Sequence, residues 1–214
     1  MKKLLILGAL LSTVSFANVI EVRIGGDLSN KGKYEGGFSN GAELSHNAIK
    51  KGFELSAEYR ASVTENFELG GGISYKGNRL NSSGYTEADG IDSVPVYLTA
   101  RYNFNNSTEV TPYIKANLGY AFNSGNLKWY DSSSSYGEAK FKGGFYSGIG
   151  TGFEFRNFVV DLSYNWNSLS VERKFVQSSI RAEDDFTLSH GVLTLGVGYS
   201  FGFQFILIQR VSLK

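Results

Sequence analysis

The segment Lys140–Asn167, KFKGGFYSGIGTGFEF-RN-FVVDLSYNWN, decides the fold. Side chains on a β-strand alternate between faces with period two. Read this way, Phe141, Phe145, Ile149, Phe153 and Phe155 share one face of a first strand. Lys142, Gly144, Tyr146, Gly148, Gly150, Gly152 and Glu154 share the other. After a tight turn at Arg156-Asn157, a second strand sets Phe158, Val160, Leu162, Tyr164 and Trp166 against Val159, Asp161, Ser163, Asn165 and Asn167. The apolar face of each strand ends in aromatics, and the opposite face carries charges that a soluble core would not accept. This inverted pattern, apolar outside and polar inside, predicts a transmembrane β-barrel.

The N-terminus carries an export pattern. Lys2 and Lys3 precede the apolar run Leu4–Leu11, and Ser15-Phe16-Ala17 offers small residues at −3 and −1 of a cleavage site. Residues 1–17 are expected to be a signal peptide and Asn18 the mature start. The apolar run is shorter than the ~20 residues of a spanning helix. There is no cysteine, which excludes a disulfide framework, thiolate metal sites and a thiol nucleophile. Removing Lys2 and Lys3 from 21 basic residues leaves 19 against 20 acidic ones, a balance that gives no support for nucleic-acid binding.

The same two-face alternation recurs around Ile20–Ile24, Phe53–Ala61, Phe67–Tyr75, Val94–Phe104, Ile114–Phe122 and Leu193–Phe201. With the opening pair this makes eight strands, an all-β, antiparallel up-and-down barrel. Short connections fall at 62–66, 105–110 and 156–157. Long ones, rich in Ser, Gly, Asn and charge, fall at about 29–50, 77–92, 123–139 and 169–187 and read as solvated loops. Short turns are periplasmic in such barrels and long loops extracellular. Aromatics cluster at both strand ends, as membrane–water interfaces require.

Signal segment, eight amphipathic strands, long loops and Phe201 closing LGVGYSF resemble the small outer-membrane β-barrels of the opacity-protein and porin-like surface-antigen group. The resemblance covers residues 18–201. It implies an outer-membrane location among lipid and lipopolysaccharide, and assembly by the barrel-assembly machinery through the aromatic Phe201. The long loops are read separately as the part open to contact with host surface or matrix, or with lipopolysaccharide sugars. The chain departs from the pattern by continuing GFQFILIQRVSLK, so residues 202–214 are expected to be a periplasmic C-terminal extension.

The inward charges form the main candidate constellation. Arg23, Arg60, Lys76, Arg101, Lys115 and Lys142 oppose Glu21, Glu54, Glu58, Glu68, Glu154 and Asp161, six against six. An eight-stranded barrel leaves an interior just wide enough for side chains to fill. The expected arrangement is therefore an interlocked ion-pair network, with a charge-lined conducting pore as the alternative. Trp129, Tyr130 and Tyr136, in WYDSSSSY, are the candidate loop contacts.

A rim enzyme would need a histidine beside a serine or carboxylate. Only His46 and His190 are available, and the adjoining Ser45 and Ser189 would point to the opposite face of a strand. Gly148-Ile-Gly150-Thr-Gly152 lies inside a strand with no helix after it, so it is not a nucleotide loop. No cofactor, metal site or catalysis is expected. The expected function is a structural surface protein with a filled lumen and adhesion carried by loops.

Overall fold

A computed structural model describes residues 17–35, 52–78, 86–88, 91–131, 135–177 and 180–204. The expected signal segment up to residue 16, His46 and residues 205–214 lie outside the described residues. The strands are β1 (Ala17–Glu35), β2 (Phe53–Ser62), β3 (Phe67–Asn78), β4 (Thr86–Ala88), β5 (Ile91–Asn103), β6 (Val110–Ser124), β7 (Asn126–Asp131), β8 (Ser135–Lys142), β9 (Gly144–Phe155), β10 (Phe158–Gln177) and β11 (Ile180–Gln204).

Eight of these close on themselves, in the order β11-β1-β2-β3-β5-β6-β9-β10, with β10 paired back to β11. Every pairing is antiparallel and the wall closes without a free edge, which is what hydrocarbon demands. The closing seam runs past Phe201: Ala17, Asn18 and Val19 pair with Gln204, Phe203 and Gly202.

The apolar face points outward. Leu98 is 71% exposed and Ile149 68%, while Tyr97 and Thr99 on either side of Leu98 are buried. Aromatic pairs band both ends: Tyr102–Phe104 and Phe158–Tyr199 near the short turns, Phe53–Tyr75, Tyr120–Phe122 and Tyr164–Trp166 near the long connections. The Arg156-Asn157 turn is held by Arg156 in a left-handed conformation (φ 57°) and by Asn157, whose Nδ2 donates to Ser200 O at 2.7 Å.

Two of the expected loops are mostly strand. β10 and β11 continue as a hairpin to Gln177 and Ile180, and β7 and β8 form a second hairpin above the barrel. β8 pairs with the upper half of β10, β7 with β8 and β4 with β7. A sheet therefore stands above the wall on one side, about 30 Å along β10 at the usual rise per residue.

Within Lys140–Phe155 the side chains change face at Gly143, which lies between β8 and β9. In β9, Tyr146 and Gly148 face inward opposite Asn167 and Asn165. In β8, Phe141 and Ala139 turn inward instead, Phe141 opposite Val171. A Cβ at Gly143 would stand 2.6 Å from the Ala121 carbonyl oxygen and 2.7 Å from the Tyr120 ring, so only glycine fits this bend. The expected inward Lys142 is consequently wrong. Its side chain is 56% exposed and bonds Glu172 on the outer face of β10.

Candidate functional site

Eleven of the twelve expected lumen charges line the interior, joined by Asp27 in place of Lys142. Five cations (Arg23, Arg60, Lys76, Arg101, Lys115) face seven carboxylates (Glu21, Asp27, Glu54, Glu58, Glu68, Glu154, Asp161). Among the described residues the expected six-against-six balance becomes five against seven. Asp27 lies beyond the alternation recognised around Ile20–Ile24, but β1 runs on to Glu35 and the odd position of Asp27 shares the face of Glu21 and Arg23.

The contacts cross the lumen. Arg23 meets Glu21 at 3.0 Å, Glu58 at 3.4 Å and, past β11 on β10, Asp161 at 3.8 Å. Arg60 binds Glu21 at 2.9 Å, and Glu58 and Glu68 each at 2.8 Å. Arg101 reaches Glu154 at 2.6 Å and lies over the Tyr113 ring at 3.8 Å. Lys115 sits between Asp161 at 3.1 Å and Glu58 at 3.7 Å. Lys76 binds Glu54 at 3.1 Å and Thr194 Oγ1 at 3.1 Å, and Thr194 donates in turn to Asp27 at 3.1 Å.

Glycines make this filling possible. A Cβ at Gly196 would meet Arg23 Cδ at 2.8 Å, and one at Gly150 would meet Lys115 Cε at 3.0 Å. Long side chains from one strand thus occupy the space that glycine vacates on the next, the alternation small barrels use. Only Glu68 and Glu154, toward the short-turn end, keep appreciable exposure, at 13% and 23%.

Three tyrosines are interleaved with the charges. Tyr97 donates to Glu58 at 2.9 Å, Tyr113 to Asp161 at 3.1 Å and Tyr146 to Asn165 at 3.0 Å, with the Tyr97 and Tyr146 rings 5.5 Å apart. Toward the long connections, level with Lys76, Asn167 Nδ2 donates to Asn123 Oδ1 at 2.8 Å and Ser93 Oγ at 3.3 Å. At the top, Ala139, Leu169, Val171 and Leu188 form a buried apolar cluster with Phe141 and Phe186 against it. The inward face of β10 thus passes from Asp161 through Asn165 to Leu169 and Val171 as it leaves the membrane.

The remaining candidates fall elsewhere. His190 is buried inside the barrel, and its Nε2 makes no hydrogen bond among the described residues. Trp129 and Tyr130 are placed in β7 and Tyr136 in β8, with Tyr130 opposite Tyr136; their side chains lie outside the described residues. Phe201 is outward, paired with Ile20, its ring 4.8 Å from that of Tyr199. No group of three His, Cys, Asp or Glu suited to a metal occurs among the described residues.

Residues 4–201 match the model of the outer membrane protein beta-barrel domain. The chain belongs to that family. The match ends on Phe201 and sets this protein in the bacterial outer membrane. The uncharacterized protein PM1543 of Pasteurella multocida is 26% identical over 179 residues, covering 69% of this chain and 73% of that one. Among solved structures, the outer membrane protease OmpT of Escherichia coli superposes with a TM-score of 0.50 at 12% identity, over 89% of this chain and 99% of that one. The attachment invasion locus protein Ail of Yersinia pestis gives 0.47 at 18% identity, over 88% and 100%. Likeness at such identities speaks to fold alone.

Proposed function

We propose that this family member is a non-conducting, non-enzymatic surface protein, exported through a cleaved leader. Its barrel anchors an extracellular sheet that contacts the outside world. The observation that carries this reading is the ion-pair network across the lumen. Charged side chains from seven of the eight barrel strands interlock there, and the apolar cluster of Leu169, Val171 and Leu188 caps them. Opening a water path would require separating several buried pairs at once, each costly to break. The binding element is then the upper sheet of β4, β7, β8 and the extensions of β10, β11 and β1. This paired sheet stands where solvated loops are expected from sequence, and binding segments carried by a structured scaffold are common. A catalytic role has no support in the placement of His190 inside the barrel.

Planar-bilayer recording of the refolded protein tests the closed lumen: silence is expected. Stable conductance steps whose ion selectivity changes in Arg101→Ala would overturn it in favour of a small channel. Replacing residues 126–136 with a Gly/Ser linker tests the platform. Cells carrying the variant should adhere less to matrix-coated surfaces while the barrel still folds, and unchanged adhesion would remove the adhesive role.

A further inference from the structure

Both prolines stand in wall strands; Pro112 keeps its pairing with β9, but pairing breaks at Pro95, and nothing in the lumen network accounts for that break. Pro95 lies in the middle of β5 and lacks the N–H that a ladder position supplies. On the β6 side pairing is continuous, through Val94↔Phe122, Pro95↔Ala121 and Val96↔Tyr120. On the β3 side pairing stops at Ile73↔Val96 and resumes only at Lys76↔Ser93. The missing donor is therefore the one β3 would have used, and the acceptor left over is the carbonyl of Ser74, opposite Pro95. Ser74 Oγ, buried behind the break, likewise makes no hydrogen bond among the described residues.

A membrane wall tolerates an orphan backbone acceptor poorly, because hydrocarbon offers it no partner. The break lies level with the outward aromatics Tyr75, Tyr120 and Phe122, at the outer interface of the bilayer. Directly beside it, on the lipid face, an open hollow of about 790 Å³ begins at Ile73, Val96 and Tyr120, with Ala57 beside Ile73, and descends past Gly71 and Leu98. Gly71 leaves its floor open, since a Cβ there would meet nothing nearer than 3.4 Å. A polar acceptor at headgroup depth with an apolar hollow running toward the bilayer centre matches the layout of an outer-leaflet lipid.

We propose that the β3–β5 break seats one such lipid. A hydroxyl or amide N–H at its headgroup–chain junction donates to the Ser74 carbonyl, and one acyl chain lies in the hollow over Gly71. This inference stands apart from the closed-lumen reading, since it concerns the lipid face only.

The test uses the full chain refolded in phosphatidylcholine vesicles doped with a diacylglycerol bearing a photoreactive diazirine in one acyl chain. Its O-methyl ether, which has no donor, is the comparison, and labelled positions are mapped by mass spectrometry. Labelling by the free hydroxyl lipid should concentrate on Gly71–Ile73 and Val96–Leu98. It should fall about fivefold with the ether, the worth of one hydrogen bond. Pro95→Val, which restores the N–H, should give a similar fall. Even labelling around the barrel, equal labelling by the two lipids, or unchanged labelling in Pro95→Val would overturn the proposal. The lipid pair decides on the wild-type protein even where the variant fails to fold.

Discussion

Arg101 of β5 reaches Glu21 of β1 at 3.3 Å, although β2 and β3 stand between those strands in the wall. The same Glu21 oxygen accepts from Arg60 at 2.9 Å, so one carboxylate ties three strands across the interior. Removing Arg101 takes a cation from Glu154 and Glu21 in an interior whose described carboxylates already outnumber its described cations. Arg101→Ala should therefore destabilise the refolded barrel by about 3–5 kcal/mol in urea unfolding. Glu109→Ala, which removes the exposed Arg156–Glu109 contact at 3.3 Å, should change stability by no more than ~1 kcal/mol. Comparable losses in the two variants would mean that the interior is hydrated as freely as the surface.

Lipid exposure of the outer face gives a second test. Leu98 and Ile149 stand proud of the wall near the middle of their strands. Arginine at either position should cost about 2–4 kcal/mol at the midplane, falling toward the aromatic bands. A Leu98→Arg barrel as stable as wild type in vesicles would contradict the membrane-facing assignment.

Alternation alone is enough to assign Glu21, Arg60, Arg101 and Asp161 to one face, because a strict period of two leaves no freedom once a strand is recognised. It fails at Lys142 for a definite reason. Gly143 adds one residue to the strand beside Ala121 and Tyr120, and every side chain beyond it changes face. The glycine pair at 143 and 144 is the signal that marks such a bend. Asp27 and the hairpins above the membrane were hidden differently. Strand continues there past the hydrophobic band, where Ser, Gly and charge read as loop, and only pairing with β11 or β10 reveals it. Pro95 was visible in the sequence as a proline inside a strand, but which neighbour loses its hydrogen bond depends on register.

The bend at Gly143 can be tested directly. Gly143→Val should crowd the Ala121 carbonyl and the Tyr120 ring and cost about 1–3 kcal/mol by overpacking. If the bend straightens instead, Lys142 would turn toward the lumen. Amine-reactive labelling of Lys142, whose side chain is 56% exposed in the wild type, would then be lost.

Outside the membrane, the Lys142 ammonium bonded to Glu172 holds that carboxyl below the usual glutamate value. Because the folded value is depressed, the contribution of this pair is present above the unfolded glutamate pKa and disappears as pH falls through the folded one. NMR titration of Glu172 should show the lowered value, and Lys142→Met should return it toward the ordinary range. An unshifted Glu172 in the wild type would mean that the pair does not persist in solution.

The seam between β1 and β11 yields the last prediction. Family matching ends on Phe201, yet Gly202, Phe203 and Gln204 still pair with Val19, Asn18 and Ala17. Asn18 is buried there and accepts a hydrogen bond from Tyr59 at 2.7 Å, which links the start of β1 to β2. Truncation after Gln204 leaves every described pair in place and should give wild-type amounts of the heat-modifiable folded form on gels. Truncation after Phe201 removes the partners of three β1 residues at the short-turn end, outside the hydrocarbon, where water can replace lost backbone bonds. It should still assemble, but unfold at a lower urea concentration. Failure of the Gln204 truncation to assemble would show that residues 205–214 take part in closing the barrel, contrary to a seam that is complete at Gln204.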